Sequence, residues 1–356
     1  MGEPGHPLTA GTMKPLRHLS AAEVTAAMPP LLERISLAER TLRALGCDAE
    51  LPPKIGVHPR QPGSLAHAMP ALLRGEAADG SADLLGVKWI TGFPANPGRG
   101  LATYQALVLL NDALTGEPLA VMDGGTITAQ RTAAVSGAAI RHFLPGGAGD
   151  GGRVARVALL GAGAQARSHL PVIGNLLPGA QVRITDVDSD RAAALAKEAT
   201  SVEGIGAAQS VASVPEAVES ADVVISVVSF GPDRQTLDPG WLEPDVLFIA
   251  VDYDMQAPAA LAGEAFFVVD EREQFLAARS GPTFAGYPDP DATIGEVLRG
   301  EADARPGRGG DRNSGSGRPA GRVLVTHLGV GLADVVFASA ILARAEQLGL
   351  GRLLPR

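Results

Sequence analysis

The pattern of apolar and polar positions divides the chain into two parts. Up to about residue 145, a helical pattern is followed by short strand-like runs and then by an alanine-rich helical stretch. Beyond a glycine-rich linker at residues 146–152, short apolar runs alternate with helical segments. Alternation of this kind is typical of a doubly wound parallel sheet. The chain is therefore predicted to be an α/β protein with two domains.

The first helix is predicted from Ser20 to about Leu45. Ser20 precedes Glu23 by the spacing of a capping box, and apolar residues then recur at helical intervals. Pro29 and Pro30 must break or restart this helix, because proline lacks an amide hydrogen and its ring clashes with the preceding turn.

Strand-like runs and a second helix complete the first part. The runs are Lys54–Val57, Leu65–Met69, Leu84–Thr91 and Tyr104–Asn111. Turn-forming residues from Asp112 to Pro118 separate the apolar runs Ala106–Asn111 and Leu119–Asp123, which predicts a hairpin. Thr128 is then expected to open a helix that continues to about His142.

The second part is built from apolar runs short enough to be buried parallel strands. These runs are Val154–Leu160, Val182–Thr185, Val223–Val228, Val246–Val251 and Phe266–Val269. Strands covered on both faces carry continuous rather than alternating apolar residues. Residues 305–322 are rich in Gly, Arg, Ser and Pro, which predicts a flexible loop. A last helix is predicted from about Leu332 to Leu348, where it can pack back on the first domain.

Composition narrows the class of partner. The net charge of −9 disfavours nucleic acid and anionic membrane, since both need a basic face. The single cysteine, Cys47, excludes an internal disulfide, fits a cytoplasmic protein, and is expected to be a small buried residue. The histidines lack the H-x-x-x-H and H-E-x-x-H spacings, so no metal site is expected. A small molecule is the remaining partner class.

A glycine-rich turn follows the first strand of the second part. The sequence from Gly161 reads G-x-G-x-x-A, with Gly163, Ala164 and Gln165 inside the motif and Ala166 closing it. The glycines permit a tight turn and close approach of a pyrophosphate, and the following helix offers free N–H groups to it. The turn predicts a dinucleotide-binding Rossmann domain.

An acidic residue marks the end of the next strand. Asp186 stands where a carboxylate accepts hydrogen bonds from the adenine ribose hydroxyls and repels a 2'-phosphate. The first cation after Asp186 is Arg191, which is too far along the sequence to be expected at a 2'-phosphate. NAD is therefore favoured over NADP. The alternative is that Asp186 merely caps the next helix.

Two cations occupy otherwise apolar surroundings in the first domain. Lys88 lies within an apolar strand, and Arg131 lies in the alanine-rich helix. Buried cations need a partner anion, which can be a structural carboxylate or the carboxylate of a substrate.

At these residues the sequence resembles the ornithine cyclodeaminase/μ-crystallin family. The resemblance rests on Lys88 in its G-x-K run, on Thr115-Gly116, on the T-A-x-R-T-A-A-V-S block at Thr128 to Ser136, and on the glycine turn. It extends from about Leu19 to Gly349.

The resemblance implies a domain division and an assembly. Residues 16–145 together with 323–356 would form a substrate-binding and dimerisation domain of α+β type. Residues 152–304 would form the NAD-binding Rossmann domain, with 305–322 as a flexible loop. The implied assembly is a homodimer.

The resemblance also implies hydride transfer between NAD and the α-carbon of an amino or imino acid. Lys88 is implied to be catalytic and to contact the substrate carbonyl or carboxylate, together with Arg131 and Met69. Lys54 stands where the family often has an arginine for that carboxylate. Asp252 follows a Rossmann strand and is implied to be the acid/base or to hold the amine, unless it only caps a helix.

The cofactor-binding residues implied by the same resemblance extend beyond the glycine turn. They are Thr103, Gly161, Gly163, Ala164, Gln165, Asp186, Ser226, Val227, Val228 and His327. For His327, a contact with nicotinamide or substrate and a packing role both remain open.

Departures from the family pattern leave the reaction open. Tyr253-Asp254-Met255 replaces a Pro-Gly-Lys run, Ala68 replaces an acid, and residues 325–329 read V-T-H-L-G in place of aromatic-x-Ser-x-Gly. The leading hypothesis is an ornithine cyclodeaminase-like enzyme, with cyclic ketimine reduction and alanine-type dehydrogenation as alternatives. A μ-crystallin-like ligand-binding protein is the alternative of another class. Retention of Lys88, Arg131 and Asp252 favours catalysis.

Overall fold

The computed structural model describes residues 14–144, 154–302 and 321–356. It contains two eight-stranded sheets with helices packed on them. The predicted α/β class with a doubly wound parallel sheet is confirmed. The predicted linker at 146–152 and nearly all of the predicted loop at 305–322 lie outside the described residues.

The elements are as follows. The strands are β1 (Leu16–Leu19), β2 (Ala49–Glu50), β3 (Ile55–Val57), β4 (Leu65–Leu73), β5 (Leu84–Gly92), β6 (Tyr104–Asn111), β7 (Pro118–Asp123), β8 (Arg156–Leu160), β9 (Ala180–Thr185), β10 (Ile205–Ser210), β11 (Val223–Ser226), β12 (Leu247–Ala250), β13 (Phe266–Val269), β14 (Ala292–Thr293), β15 (Val323–Thr326) and β16 (Arg352–Leu354). The α-helices are α1 (Ala21–Ala26), α2 (Leu31–Ala44), α3 (Gly124–Phe143), α4 (Ala164–Leu176), α5 (Ser189–Ala199), α6 (Val214–Val218), α7 (Ala259–Glu264), α8 (Arg272–Arg279), α9 (Ile294–Arg299) and α10 (Gly331–Gln347). Short 3-10 helices lie at Asn96–Arg99 and Pro239–Trp241.

The first sheet has the order β16-β1-β7-β6-β5-β4-β2, with β3 also paired to β4. Its strands pair antiparallel except β1 and β7, which run parallel. Helix α10 covers the inner face, and α3 packs against both β6 of this sheet and β12 of the other. Side chains of α3 and α10 therefore reach the space between the two sheets.

The second sheet is parallel throughout, in the order β10-β9-β8-β11-β12-β15-β13-β14. The direction of winding reverses between β8 and β11, and ligands of such sheets bind outside the carboxyl ends of the strands at this switch point. β11 and β12 are buried along their whole length, as their continuous apolar runs predict, and β15, which was not predicted, is buried in the same way.

The position of strand β15 does not agree with the predicted domain division. Residues 323–326 were assigned with the C-terminal segment to the substrate domain, but β15 pairs with β12 on one side and β13 on the other, inside the second sheet. The run Val-Leu-Val-Thr is fully buried there, and the chain crosses to the first sheet only with α10. The place that a strand takes in a parallel sheet is set by tertiary packing, and the linear sequence does not specify it.

The N-terminal helical pattern forms two helices, as the proline pair predicts. Ser20 caps α1 in a capping box with Glu23, and α2 restarts after Pro30. Helix α3, however, begins at Gly124 rather than at Thr128. Asp123 caps it by accepting a hydrogen bond from the Thr126 amide, so the turn after β7 becomes helical at once.

Two local predictions were also wrong or incomplete. Cys47 is exposed rather than buried, because the chain leaves α2 at that point. Strand β10 was not predicted, since it is an edge strand whose residues are mostly exposed and carry no continuous apolar run.

Candidate active site

The glycine turn after β8 has no room for larger residues at its first position. Gly161 has φ +101°, and a Cβ there would lie 2.9 Å from the Val227 carbonyl oxygen. Helix α4 starts at Ala164, and its N-cap, Gly163, makes no side-chain capping bond. The backbone N–H groups of the first turn are therefore left for an anion, which favours a phosphate.

Asp186 lies beside the same turn, at the end of β9. Its Oδ2 accepts a hydrogen bond of 2.7 Å from the Ala162 amide, and its Oδ1 accepts one of 3.0 Å from the Asp188 amide. Asp188, not Asp186, is the N-cap of α5, so the alternative capping role of Asp186 is wrong.

Arg191 is closer to this site than its position in the chain suggests. Its Nη2 lies 3.9 Å from Asp186 Oδ2, and a Cβ on Gly163 would be 3.6 Å from the same nitrogen. The first turn of α5 carries the guanidinium back over the glycine turn. The carboxylate and the guanidinium thus stand together at the position where adenine ribose recognition is predicted.

Asp252 follows β12 and is held through one of its two oxygens. Oδ2 accepts hydrogen bonds from the Ser226 hydroxyl and from the Val228 amide, the latter at 3.0 Å. Oδ1 is buried and has no hydrogen-bond partner among the described residues. Burial raises the pKa of Asp252 to about 7, although the two donated bonds act in the opposite direction. A carboxyl group with this pKa can hold or release a proton near neutral pH.

A buried charge cluster lies between the two sheets. Lys88 on β5 places Nζ 2.5 Å from Asp334 Oδ2, and Arg131 on α3 places Nε 3.3 Å from Oδ1 of the same carboxylate. Asp334 lies in the first turn of α10, where the helix dipole favours an acidic side chain. Burial lowers the pKa of Lys88 to about 7, with Asp334 acting against the shift.

The cluster has more positive than negative charge. Two cations share one carboxylate, and the hydrogen bonds of Arg131 with the described residues involve Nε but neither Nη group. Gly329, after β15, lies against this guanidinium, since a Cβ there would be 2.5 Å from Nη1. An anion that bound at the Nη groups would balance the buried charge.

Lys54 links the first sheet to loops at the carboxyl ends of β12 and β15. Its Nζ donates hydrogen bonds to the Leu328 carbonyl at 2.6 Å and to the Tyr253 hydroxyl at 2.8 Å. Tyr253 has φ +64°, a strained backbone for a residue with a side chain. Lys54 is thus already engaged by the protein, on the same side of the sheet as Asp252.

The remaining predicted residues fall into two groups. Met69 is paired in register with Lys88, and His327 is buried at the end of β15 with Nε2 2.9 Å from the Ser136 hydroxyl. Thr103 stands apart: its carbonyl accepts a bond from Phe93, and no described contact joins it to the glycine turn. Gln165 lies in the first turn of α4, and its side-chain oxygen is buried without a partner among the residues described.

Some site residues were missed by sequence reasoning. Asp334 was assigned no role, although an acid in the first turn of an apolar helix is a signal that could have found it. Ser136 and His169 lie on α3 and α4, and no sequence spacing connects them. Their proximity arises from the packing of these two helices.

In residues 14–144, 154–302 and 321–356, no three or more His, Cys, Asp or Glu side chains are placed to hold a metal ion. No helix in those ranges has the length and apolar character needed to cross a membrane.

Comparison with known proteins identifies the family. The model of the ornithine cyclodeaminase/mu-crystallin family matches residues 19–314. The chain belongs to this family. The resemblance predicted from the Arg131 block and the glycine turn is thereby confirmed.

Individual relatives of this family member differ in their named activities. The chain is 31% identical to the nodulation efficiency protein NfeD of Rhizobium meliloti over 341 residues, which cover 96% of this chain and 98% of that protein. It is 34% identical to the ketimine reductase mu-crystallin of Rattus norvegicus over 226 residues, covering 62% and 68% respectively. A solved archaeal alanine dehydrogenase dimer with bound NAD superposes with a TM-score of 0.76 at 25% identity, over 95% of this chain and 98% of the other.

Proposed function

We propose that this protein is an NAD-dependent enzyme of amino-acid metabolism that transfers hydride at the α-carbon of an amino or imino acid. The observation that carries the proposal is the pairing of two buried cations, Lys88 and Arg131, with a single carboxylate, in a protein that also buries a carboxyl group with a free oxygen at Asp252 after β12. An α-amino or α-imino acid provides the anion and the exchangeable proton that such a site requires.

The residues present fit a dinucleotide. The turn at Gly161 is closed to a Cβ, the N-terminus of α4 has free N–H groups, and Asp186 stands at the ribose position. NAD supplies or accepts the hydride when it is bound. Val227 follows β11 and His327 follows β15 at the same edge of the sheet, and both are proposed to contact the cofactor. Because Arg191 lies beside Asp186, its late position in the sequence no longer supports NAD, and the preference rests on the carboxylate, which opposes a 2'-phosphate.

The substrate carboxylate is bound by Arg131, with Lys88 as the second cation. The two Nη groups of Arg131 form a planar fork that matches a carboxylate. The pKa of Lys88 is about 7, so the lysine is partly charged at neutral pH, and an incoming anion raises that pKa and favours the charged form. Fixing the carboxylate at two points aims the α-carbon, which hydride transfer requires.

Asp252 moves the proton. Ser226 and Val228 fix Oδ2, so Oδ1 is the atom that gives a proton to the substrate nitrogen in reduction or removes one in oxidation. Its pKa of about 7 keeps both protonation states populated at neutral pH.

The choice of substrate remains among three reactions. Ornithine cyclodeaminase-like cyclisation of a diamino acid is the leading candidate, with cyclic ketimine reduction and alanine-type dehydrogenation as alternatives. Tyr253 replaces the proline that usually follows the proposed catalytic aspartate, and its hydroxyl accepts a hydrogen bond from Lys54.

A substrate panel tests the proposal. Purified protein is incubated with NAD and amino acids including L-ornithine and L-alanine, while NADH is followed by absorbance and products by mass spectrometry. Cyclised product with ammonia and no net NADH supports a cyclodeaminase, and NADH rising with keto or imino acid supports a dehydrogenase. The reverse reaction with NADH and a cyclic imine tests the reductase. No turnover in either direction contradicts the enzyme and favours a ligand-binding protein.

The assembly we propose is a homodimer formed by the outer face of the first sheet. Ile55, Trp89 and Leu107 occupy one cross-strand row on that face, and Trp89 and Leu107 are 45% and 50% exposed. A contiguous exposed apolar patch of this kind marks an interaction site. We also infer a cytoplasmic location, which the single cysteine and acidic composition favour.

A further inference from the structure

A chain of buried hydrogen bonds leads away from His327. His327 Nε2 lies 2.9 Å from Ser136 Oγ, and Ser136 Oγ lies 2.9 Å from His169 Nε2. His169 Nδ1 in turn lies 2.6 Å from the Gln165 carbonyl oxygen. Both histidines and the serine are almost completely buried, so water does not compete for these contacts.

The positions of the protons in this series of hydrogen bonds follow from the Gln165 carbonyl at its end. A carbonyl oxygen only accepts, so His169 must carry its proton on Nδ1. Burial lowers the pKa of His169 to about 4, which keeps the ring neutral and leaves Nε2 as an acceptor for the Ser136 hydroxyl. Ser136 has one hydrogen and donates it to His169, so it must accept from His327 Nε2–H.

His327 is therefore held in one tautomer. Burial, together with the nearby His169 and Arg131, places the pKa of His327 well below its usual value, so the ring is neutral. With the proton on Nε2, Nδ1 is a bare lone pair. Nδ1 is buried and has no hydrogen-bond partner within the described part of the chain. A buried acceptor left without a donor costs stability, which is a reason to expect a ligand there.

These hydrogen bonds join three elements that border the proposed active site. Ser136 lies on α3, the helix that carries Arg131. His169 and Gln165 lie on α4, which begins directly after the glycine turn. His327 follows β15, two residues before the Gly329 that packs against the Arg131 guanidinium. The orientation of His327 is thus set by the same helices that place the substrate cation and the glycine turn.

We propose that Ser136 and His169 are positioning residues that lock His327 in the Nε2–H tautomer, so that its Nδ1 accepts a hydrogen bond from an N–H group of a bound small molecule. The donor is an amide or amine nitrogen, which both the nicotinamide carboxamide and an amino or imino acid provide. The tautomer stands independently of the proposed function, whereas the identity of the donor rests on it.

The tautomer is measured first, in the ligand-free protein. Protein labelled with ¹⁵N-histidine gives separate NMR signals for protonated and bare ring nitrogens, and His327→Gln identifies the signals of His327. We expect a neutral ring with a proton on Nε2 and none on Nδ1 at pH 7. A proton on Nδ1, or a doubly protonated ring, overturns the proposal.

Ser136→Ala tests the positioning role against a matched control. Ser168→Ala removes another buried hydroxyl, which donates to the same Gln165 carbonyl. This bond is separate from the hydrogen bond between Ser136 and His327. We expect a mixture of His327 tautomers in Ser136→Ala, a single tautomer in Ser168→Ala, and restoration of the single tautomer by Ser136→Thr. An unchanged tautomer in folded Ser136→Ala contradicts the role. If Ser136→Ala does not fold, the wild-type measurement alone decides.

The donor is identified by adding ligands in order. A change at His327 Nδ1 on addition of NADH alone assigns the carboxamide, and a change only with NADH plus L-alanine or L-proline assigns the amino acid nitrogen. No change with either addition, when fluorescence shows that NADH is bound, overturns the acceptor role. NADH binding is followed separately by its fluorescence, so a failure of the proposed cofactor is seen as absent binding with the tautomer intact. We expect Ser136→Ala to weaken binding of the assigned ligand about tenfold.

Discussion

Lys88 and Asp334 form a buried ion pair with 2.5 Å between Nζ and Oδ2. The lysine belongs to the central strand β5 and the aspartate to the last helix, α10. Since Arg131 contacts the other oxygen of the same carboxylate, Asp334 is the one anion that holds two cations in place within this cluster. We therefore expect this pair to stabilise the packing between the two sheets and to set the affinity of the site for carboxylates.

Replacing Asp334 with asparagine leaves Arg131 and the partly charged Lys88 without their shared counter-charge. We expect Asp334→Asn to destabilise the fold by about 3–5 kcal/mol, and a bound carboxylate ligand to restore part of the loss. Thermal unfolding with and without a carboxylate ligand measures both effects. Asp289→Asn, which breaks an ion pair between the exposed Asp289 and the partly buried Arg279, serves as the control and is expected to cost under about 1 kcal/mol. Equal losses in the two variants would argue against the cluster.

Asp252→Asn removes the proposed proton carrier while keeping the shape of the side chain. We expect turnover to fall about 10²- to 10⁴-fold with NADH binding nearly unchanged, because the dinucleotide contacts lie at other residues. Steady-state kinetics and NADH fluorescence provide the two measurements. Unchanged turnover would exclude Asp252 as the acid/base, and no turnover in wild type would favour the ligand-binding protein.

Ser226→Ala changes the pKa of Asp252 in a known direction. The Ser226 hydroxyl donates to the carboxylate and so lowers the Asp252 pKa, which burial has raised to about 7. Without this bond the pKa rises further. Reduction needs protonated Asp252, so its rate falls as pH increases through that pKa, and the midpoint should move to higher pH in Ser226→Ala.

The pH profile must be separated from the titration of Lys88, which also loses its proton near pH 7. Ser226 does not contact Lys88, so the difference between variant and wild-type midpoints reports Asp252. Ser280→Ala removes an exposed hydroxyl on α8's C-cap and should leave the midpoint in place. A midpoint that moves to lower pH in Ser226→Ala contradicts the assignment.

Gly161→Ala and Gly163→Ala test the glycine turn as a pair. A Cβ at Gly161 meets the Val227 carbonyl at 2.9 Å on a backbone with positive φ, whereas a Cβ at Gly163 has only an ordinary contact with Arg191. We expect Gly161→Ala to lose about 1–3 kcal/mol of stability and most of its NADH affinity. Gly163→Ala should keep its stability. Chemical unfolding and NADH fluorescence compare the two, and equal stability would contradict the steric argument.

Trp89→Lys tests the proposed dimer. A charge in the middle of the apolar row on the outer face of the first sheet should convert the dimer to a monomer. Trp241→Lys, at a partly exposed tryptophan beside the second sheet, is the control and should remain dimeric. Analytical ultracentrifugation distinguishes the two species. A monomeric wild type, or a dimeric Trp89→Lys, would place the interface elsewhere or remove it.

Local features of the fold could be predicted because the interactions that form them lie within a few residues. The capping box at Ser20, the proline break before α2, the hairpin of β6 and β7 and the glycine turn at Gly161 all depend on neighbours in sequence. The start of α3 was predicted at Thr128 and not at Gly124, because an aspartate followed by two glycines is typical of a loop. The resemblance carried by the motifs around Lys88, Arg131 and Gly161 also predicted the family.

Contacts between distant segments were decided by the tertiary structure. The insertion of β15 between β12 and β13, the return of Arg191 to the glycine turn and the pairing of Asp334 with Lys88 join segments that no sequence spacing relates. The sequence alone determined which residues could be buried and which could carry charge. Which buried charges share a partner, and which polar atoms such as His327 Nδ1 have none, depends on how helices and sheets pack, because burial removes the water that would otherwise satisfy each group.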